Sequence, residues 1–279
     1  MVQRRFIAGS EWIYYKIYSG PKIIEQILIC DLIPAVNSLR RKGLVDSFFF
    51  IRYMDPNYHI RLRLHCQSKD CGIIMDKMRK KLEKYVRDLT ITTIQLDTYA
   101  REVERYGGDN IVFFERMFYY DSCLVSNCLK RLECLDTQRH DISLKFIDTL
   151  LDSRGLTLDD KIIFSDRNRK AYFQEIYQSN DSIRNMLNAK YRNVRKEVFD
   201  CLNKERQQTW WDKEISKYTK NVSSLGSFIS TINGNELTSV IHMHVNRMYR
   251  MQQRRIEMLL YWYLYKYYVS QKAISHKSD

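Results

Sequence analysis

The sequence predicts an α+β protein, with an antiparallel sheet in its first part and a mostly helical second part. Residues 11–106 alternate segments rich in β-branched and aromatic residues with segments of helical periodicity, in the order β-α-β-β-α-β. Beyond Gly107-Gly108, apolar residues recur at helical spacing along most of the chain. We therefore expect a sheet-containing half at 1–108 and a helical half at 109–279, together forming one compact domain.

The elements of the first half each have a local signal. A strand at 11–18 ends at Gly20-Pro21, and the helix at 22–41 contains Pro34, which predicts a break or a kink. A hairpin at 48–65 turns at Asp55-Pro56, and a helix at 70–89 and a β-rich run at 90–99 follow. This order is that of a ferredoxin-like split unit with an antiparallel sheet. For the second half, helical spacing predicts long helices at 111–132, 141–151, 180–202, 211–231 and 236–271.

Charge and cysteine content narrow the class of protein. The formal net charge of +13 predicts an acidic partner, without choosing among nucleic acid, peptide and protein. No apolar run reaches the roughly 18 residues that span a membrane, and the first residues lack the apolar core of a signal peptide. The 7 cysteines form no C-x-x-C pair and no zinc pattern beyond a weak one at Cys66 and Cys71. We expect a cytoplasmic protein with reduced thiols and no metal.

The hairpin carries the first chemical motif. Its second strand alternates strictly, so that Ile60, Leu62 and Leu64 share one face while Arg61 and Arg63 share the other. Two arginines two residues apart on a strand lie about 7 Å from each other. Such a pair suits an anion or an enolate, although an ordinary strand with a solvated basic face has the same pattern.

Two further motifs contain ionisable side chains. Glu102 and Arg105 would face opposite ways on a strand but meet on a helical turn, and Gly107-Gly108 predicts a tight bend beside them. They could be an ordinary ion pair. On the last predicted helix, His242 and Asn246 lie one turn apart beside an apolar stripe. A histidine there could carry a proton near neutral pH or be a buried structural residue.

Several common signatures are absent from the sequence. It contains no nucleotide-binding G-x-x-x-x-G-K-[ST] or G-x-G-x-x-G, no G-x-S-x-G elbow and no H-E-x-x-H zinc motif. The aromatic strand at 48–53 lacks the glycine-containing core of the RNA-stacking motif.

Together, these motifs resemble the SpaB C-terminal family, also called the thiopeptide-type bacteriocin biosynthesis domain. This is the glutamate-elimination domain of class I lanthipeptide dehydratases, here in stand-alone form. The resemblance rests on Trp12, 49–53, Asp55-Pro56, His59-Ile60-Arg61-Leu62-Arg63, Tyr99, Glu102, 105–108, Asp121-Ser122, His242-Met243 and Asn246-Arg247. These residues extend over nearly the whole chain, and their joint order and spacing are specific.

The resemblance implies a lyase-type enzyme, a single catalytic domain in the biosynthesis of ribosomally made and modified peptides (RiPPs). It would eliminate glutamate from glutamylated Ser or Thr of a precursor peptide, giving dehydroalanine or dehydrobutyrine. The implied catalytic residues are Arg61, Arg63, Glu102, Arg105 and His242, and the implied substrate-binding residues are Arg52, Tyr53, His59, Tyr99, Asn246 and Arg247. No cofactor is implied.

The resemblance also implies partners. The substrate is a precursor peptide with leader and core, and the chain is too short to contain a glutamylating half. We therefore expect a separate LanB-like protein that uses glutamyl-tRNA, and a homodimer is compatible with the family.

The resemblance further suggests a division of roles. Arg61 and Arg63 would bind the glutamyl carboxylates and the developing enolate, Glu102 would orient Arg105 or an arginine of the pair, and His242 would move the proton. Arg105 would complete the anion site. Which residue acts as the base is left open by the sequence.

Two other functions stay open. Relatives in thiopeptide pathways use the same fold for an aza-[4+2] cycloaddition that builds a pyridine, although those enzymes tend to depart from the elimination motifs. A non-catalytic module that binds a peptide or tRNA through its basic surface is the alternative from another class.

Overall fold

The protein is α+β, as predicted, and its contacts divide it into two compact units, Met1–Arg131 and Leu132–Asp279. The structure, a computed structural model, describes residues 2–132, 138–203, 205 and 207–278. Cys134 lies outside the described residues, and the other six cysteines are free thiols. Within the described part of the chain, no helix is both long and apolar enough to cross a membrane.

The first unit is built on a four-stranded antiparallel sheet. The six strands described in this unit are β1 (Arg5–Phe6), β2 (Trp12–Tyr18), β3 (Ser47–Met54), β4 (Tyr58–His65), β5 (Thr93–Leu96) and β6 (Tyr99–Ala100). The main sheet has the order β3-β4-β2-β5, and β1 pairs with β6 in a separate two-stranded sheet. The β-rich run at 90–99 is therefore two strands. The chain turns between them, where the Asp97 carboxylate accepts a hydrogen bond from the backbone N–H of Thr98 at 2.7 Å.

The helices of this unit are α1 (Pro21–Ile27), α2 (Ile33–Arg41), α3 (Cys71–Arg87) and α4 (Ile111–Arg131). A π-helical turn, Leu28–Leu32, joins α1 to α2 just before Pro34. Proline lacks an N–H and crowds the carbonyl four residues earlier, so the predicted irregularity at Pro34 takes the form of a widened turn. On the inner face of the sheet, Ile60, Leu62 and Leu64 are fully buried.

Helix α4 covers the outer edge of β3. The backbone N–H of Phe50 donates to Ser122 Oγ at 3.3 Å, and the ring of Phe49 packs on that of Phe118. This contact explains why α4 belongs to the first unit, whereas the sequence-based boundary after Gly108 would assign it to the helical half. The difference is one helix, because sequence periodicity does not say what a helix packs against.

The regular elements described in the second unit are all helices. They are α5 (Gln138–Ser153), α6 (Leu158–Tyr177), α7 (Asp181–Leu202), α8 (Trp210–Ser223), α9 (Phe228–Thr231), α10 (Gly234–Met248) and α11 (Gln253–Ser278). Helix α11 packs along α6 and α7, and α5 packs against α7, α8 and α10.

Three features of this unit differ from the sequence-based prediction. Helix α6 was not predicted, although Thr157 and Asp160 form a capping box at its start. The predicted helix at 236–271 is two helices, because Gln252 takes a left-handed backbone conformation with φ of 58°. The segment at 211–231 is likewise interrupted, at Gly226, where φ is 75°.

Candidate functional site

The outer face of the sheet gathers cations and aromatic rings. Strand register places Tyr14 opposite Arg63 and Lys16 opposite Arg61 across β2 and β4. On the other side of β4, Phe49 lies opposite Arg63 and Tyr53 opposite His59. Because side chains alternate along a strand, all of these share one face. We call this set the basic face; it comprises Tyr14, Lys16, Phe49, Tyr53, His59, Arg61 and Arg63.

Arg63 is buried at the centre of the basic face. Its side chain is enclosed by three rings, with the guanidinium carbon 4.3 Å from the ring centre of Tyr14, 5.1 Å from Phe49 and 4.8 Å from Tyr99. Only 8% of the residue is exposed. Among the described residues, its Nε has no hydrogen-bond partner and its guanidinium no carboxylate. A solvated basic strand is therefore excluded as the explanation of the alternating pattern at Arg63.

A buried cation without a counter-ion is costly, and cation–π contacts offset only part of the cost of removing it from water. The flat guanidinium fork remains able to bind a carboxylate through two parallel hydrogen bonds. Arg63 is thus held where an incoming anion would gain most from it.

Arg61 is held differently. Its guanidinium carbon lies 3.4 Å from the ring centre of Tyr53, and its Nε donates to His59 Nε2 at 3.1 Å. His59 Nδ1 is 2.8 Å from the carbonyl oxygen of Asn57, which it can reach as a donor. Burial lowers the pKa of His59, and the charges of Arg61 and Lys16 lower it further. A neutral His59 can accept the hydrogen bond from Arg61 Nε. Like Arg63, Arg61 has no carboxylate partner among the described residues.

The third cation of the basic face already has a counter-ion. Lys16 Nζ lies 2.5 Å from the Asp97 carboxylate, and this hydrogen bond lowers the pKa of Asp97 and raises that of Lys16. Burial raises the pKa of Tyr14, although the charges of Arg63, Arg61 and Lys16 oppose the shift. The pairing of Lys16 leaves Arg61 and Arg63 as the cations best placed to take an anion.

A buried network that the sequence did not reveal holds Tyr99 against Arg63. The Tyr99 hydroxyl donates to Glu115 Oε1 at 2.7 Å, and the Arg101 fork donates to the same carboxylate at 2.7 and 2.6 Å. Burial, followed by the Glu115 charge, raises the pKa of Tyr99, which therefore stays protonated and can donate. One signal in the sequence could have indicated this network. Glu115 is an acidic residue on the apolar face of the predicted helix at 111–132, which corresponds to α4.

Glu102 and Arg105 lie on a turn, not on a strand. Arg105 Nη1 donates to Glu102 Oε2 at 3.1 Å, and the backbone N–H of Arg105 donates to the Glu102 carbonyl. Gly107 and Gly108 both have positive φ, as a bend there requires. The helical-turn alternative is therefore the right one. The pair is accessible, with 63% of the Glu102 side chain and 42% of the Arg105 side chain exposed.

Among the predicted substrate-binding residues of the first unit, Arg52 and Tyr53 differ sharply. Tyr53 is 40% exposed and stacks on Arg61. Arg52 is 1% exposed and pairs with Glu25 at 2.6 Å and with the Tyr58 hydroxyl at 3.3 Å. The alternation of side chains along β3 points Arg52 away from the basic face. Its contacts with Glu25 and Tyr58 are those of a residue that supports the hairpin.

In the second unit, a carboxylate holds the predicted catalytic histidine. His242 Nδ1 lies 2.7 Å from Glu257 Oε2, and Glu257 Oε1 accepts from the Tyr172 hydroxyl at 2.7 Å. Glu257 is fully buried, whereas 15% of the His242 side chain is exposed. In the described part of the chain, His242 Nε2 has no hydrogen-bond partner. Sequence reasoning missed Glu257 and Tyr172, which lie on other helices.

The neighbours of His242 on α10 are more enclosed. Asn246 is half-buried one turn further on, and Arg247 is 1% exposed. His244 stacks on the ring of Phe146 at 3.7 Å and is fully buried. Of the two histidines on this helix, His242 is thus the one whose side chain is partly exposed. Within the described ranges, no group of three His, Cys, Asp or Glu side chains could hold a metal ion.

The basic face thus belongs to the first unit and the carboxylate-held histidine to the second. The chain belongs to the lantibiotic biosynthesis dehydratase C-terminal family, whose model matches residues 12–268. The resemblance identified from the motifs is therefore confirmed, and the match extends over both units.

Curated relatives are lantibiotic biosynthesis proteins. The chain is 26% identical over 279 residues to the nisin biosynthesis protein NisB of Lactococcus lactis subsp. lactis, covering 97% of the chain and 26% of NisB. It is 22% identical to the subtilin biosynthesis protein SpaB of Bacillus subtilis, covering 86% of the chain and 24% of SpaB. The epidermin biosynthesis protein EpiB of Staphylococcus epidermidis is 25% identical, with 87% and 24% covered. The chain thus spans about a quarter of the length of these relatives.

Solved structures share the fold at lower identity. The tRNA-dependent lantibiotic dehydratase MibB of Microbispora sp. 107891 superposes with a TM-score of 0.61 at 17% identity, over 98% of this chain and 29% of MibB. The pyridine synthase TbtD from thiomuracin biosynthesis gives 0.65 at 12% identity, over 94% of this chain and 98% of TbtD. TsrL gives a TM-score of 0.69 at 12% identity, over 93% of this chain and 95% of TsrL.

Proposed function

We propose that this protein eliminates glutamate from glutamylated Ser or Thr residues of a precursor peptide, as a lyase-type component of lanthipeptide or thiopeptide biosynthesis. In this reaction the Cα–H bond and the Cβ–O bond of the esterified residue break, and a Cα=Cβ double bond forms. Glutamate leaves as a free carboxylate, and the products are dehydroalanine or dehydrobutyrine.

The observation that carries the proposal is the buried, unneutralised guanidinium of Arg63. The α-proton of a peptide is weakly acidic, so the barrier lies in stabilising enolate charge on the amide oxygen. Preorganised donors do this well, and losing one typically costs about 2.7–4 kcal/mol of transition-state stabilisation. A dry guanidinium that lies between rings and lacks a carboxylate is such a donor.

The leaving group supports the same assignment. Glutamate departs as a carboxylate whose conjugate acid has a pKa near 4.3, so it needs little protonation at neutral pH. It does need an anion site, and Arg61 lies beside Arg63 with its fork free of carboxylates in the described chain.

The other predicted residues take supporting roles in this proposal. Tyr53 and His59 hold Arg61, and Tyr99 holds Arg63. The exposed Glu102–Arg105 pair extends the anion site, and His242 moves the proton. On α10, the half-buried Asn246 would contact the peptide, and Arg247, which is 1% exposed, would support that contact. The single-catalytic-domain proposal is supported by a family match that includes both units.

The proposal includes a fold assignment and partners. The order β-α-β-β-α-β, with neighbours β3-β4-β2-β5, supports a ferredoxin-like split unit in the first unit. As its partner in the pathway, the proposal includes a LanB-like glutamylating protein that uses glutamyl-tRNA and makes the glutamyl ester; the chain itself aligns with 26% of NisB. The net charge of +13 supports an acidic partner, which we take to be the precursor peptide.

The test is mass spectrometry on a synthetic peptide that carries one glutamyl ester on serine, incubated with the purified protein. We expect loss of glutamate with appearance of a dehydroalanine. Arg63→Ala should slow the reaction by about 100-fold or more, from the loss of one preorganised donor. Arg79→Ala, which removes an exposed arginine of α3, is the matched control and should keep the wild-type rate.

Two outcomes would replace the proposal. The pyridine synthase TbtD is covered almost completely by this chain, which favours pyridine synthesis as the second candidate. Release of a leader from a peptide bearing two dehydroalanines, without glutamate elimination, would assign that reaction. Peptide binding without turnover of either substrate would assign a non-catalytic module.

A further inference from the structure

The partner of His242 decides which ring nitrogen can react. Glu257 offers one oxygen to His242 Nδ1 and the other to the Tyr172 hydroxyl, each at 2.7 Å. Burial and the Glu257 charge raise the pKa of Tyr172, so Tyr172 keeps its proton and acts as the donor. An ionised carboxylate only accepts hydrogen bonds. The proton between Glu257 and His242 therefore belongs to Nδ1.

We infer that Glu257 is a positioning residue that holds His242 in the Nδ1–H form, so that Nε2 takes the α-proton of the glutamylated residue. This inference rests on the proposed elimination and assigns the base, which the sequence left open. In a neutral imidazole with hydrogen on Nδ1, Nε2 has the lone pair and can act as a base but not as an acid.

The atoms balance in this step. The Cα–H bond breaks and its proton moves to His242 Nε2, while the electron pair forms the Cα=Cβ bond. The Cβ–O bond breaks and glutamate leaves with that electron pair. The resulting imidazolium keeps its Nδ1–H directed at Glu257, whose negative charge stabilises it. Water then removes the proton from Nε2.

The surroundings of Glu257 allow a positioning role to be distinguished from a packing role by substitution. Glu257 is fully buried, and an amide of the same shape could make both hydrogen bonds in either direction. Glu257→Gln therefore preserves volume and hydrogen bonding while it removes the preference for one tautomer. His244, stacked on Phe146 in the core, gives an internal reference for a histidine that takes no part.

The first measurement is of the tautomer, independent of activity. The full chain is labelled with ¹⁵N-histidine, and the ring-nitrogen shifts of neutral His242 are assigned by comparison with His242→Ala. We expect the Nδ1–H form in the wild type and a mixture in Glu257→Gln. Finding the Nε2–H form in the wild type would overturn the inference, whatever the activity of the protein.

The second measurement is kinetic. For glutamate release, Glu257→Gln should lower kcat by about 10²–10⁴-fold, with a much smaller change in KM. Tyr172→Phe leaves the Glu257 carboxylate in place as the acceptor for His242 Nδ1, so it should lower kcat by less than Glu257→Gln does. Glu175→Gln makes the same carboxylate-to-amide change at an exposed residue of α6 and should keep the wild-type kcat.

These results separate the two proposals. A wild-type rate in Glu257→Gln overturns the positioning role while the elimination function stands. A wild-type protein that releases no glutamate overturns the proposed function and the proton transfer with it. In that case the tautomer result still decides whether Glu257 directs the His242 ring.

Discussion

At the scale of residues, the charges of this protein fall into paired and unpaired groups. Arg52, Arg101 and Lys16 each have a carboxylate partner, at distances of 2.6, 2.6 and 2.5 Å. Arg61 and Arg63 have aromatic rings in place of one, among the residues that the structure describes. The paired cations are already neutralised by a carboxylate, whereas a cation without a counter-ion is the group that an anionic substrate can use.

The Lys16–Asp97 pair gives a prediction about pH. The hydrogen bond from Lys16 holds the pKa of Asp97 below its ordinary value of 3.8. A carboxyl with a lowered folded-state pKa contributes stability above the unfolded pKa and loses it as the pH falls through the folded value. Asp97→Asn should therefore destabilise the protein at pH 7, and this difference should shrink on acidification.

Because 41% of the Asp97 side chain is exposed, solvent screens the pair and we expect at most about 1 kcal/mol at neutral pH. Urea unfolding from pH 7 to about pH 3 measures the difference. In a Lys16→Gln background the pH-dependent part should shrink to the share that the Thr98 backbone N–H and the Arg61 charge contribute. An undiminished difference in that background would contradict the assignment of the effect to Lys16.

At the scale of elements, the hairpin of β3 and β4 has two functions at once. Its inner residues Ile60, Leu62 and Leu64 fill the core, and its outer arginines are part of the basic face. Because the strand period is two, a slip of one residue would exchange these faces. The apolar side chains therefore fix the register that places Arg61 opposite Lys16 and Arg63 opposite Tyr14.

Leu62→Ala tests this coupling. Leu62 is fully buried, so the substitution should lower the free energy of unfolding by about 2–5 kcal/mol. Leu96→Ala, at a position of β5 that is 38% exposed, is the matched control and should cost less than about 1 kcal/mol. Chemical denaturation compares the two. Equal losses at both positions would contradict the account of the inner face as the core.

At the scale of the whole molecule, a net charge of +13 spread over the chain acts on association more than on chemistry. With a glutamylated peptide that carries an acidic leader, kcat/KM should fall as salt rises from about 0.05 to 0.5 M, while kcat at saturating peptide changes far less. The same peptide with its leader acids replaced by amides is the control and should show a flatter salt dependence. A salt-independent kcat/KM would mean that the surface charge serves another partner.

Much of the fold followed from local pattern. A composition rich in β-branched and aromatic residues identified β2 and β3, strict alternation identified β4, and helical spacing identified most helices. The prediction failed where local geometry interrupts a continuous pattern. The backbone is extended at Tyr249, where α10 ends, and left-handed at Gln252, just before α11 begins, and Asp97 lies between β5 and β6. An apolar pattern continues through such breaks.

The sequence by itself determined the class of the protein and its family and predicted the candidate site residues, since these inferences depend on residue type, order and spacing. Only the tertiary structure determined how deeply these side chains are buried and which partners they have. It buried Arg63 among rings that come from three strands, and it set Glu257 and Tyr172 behind His242 from other helices. The reason is physical: burial and hydrogen-bond partners depend on contacts between residues far apart in the chain, which no local spacing records.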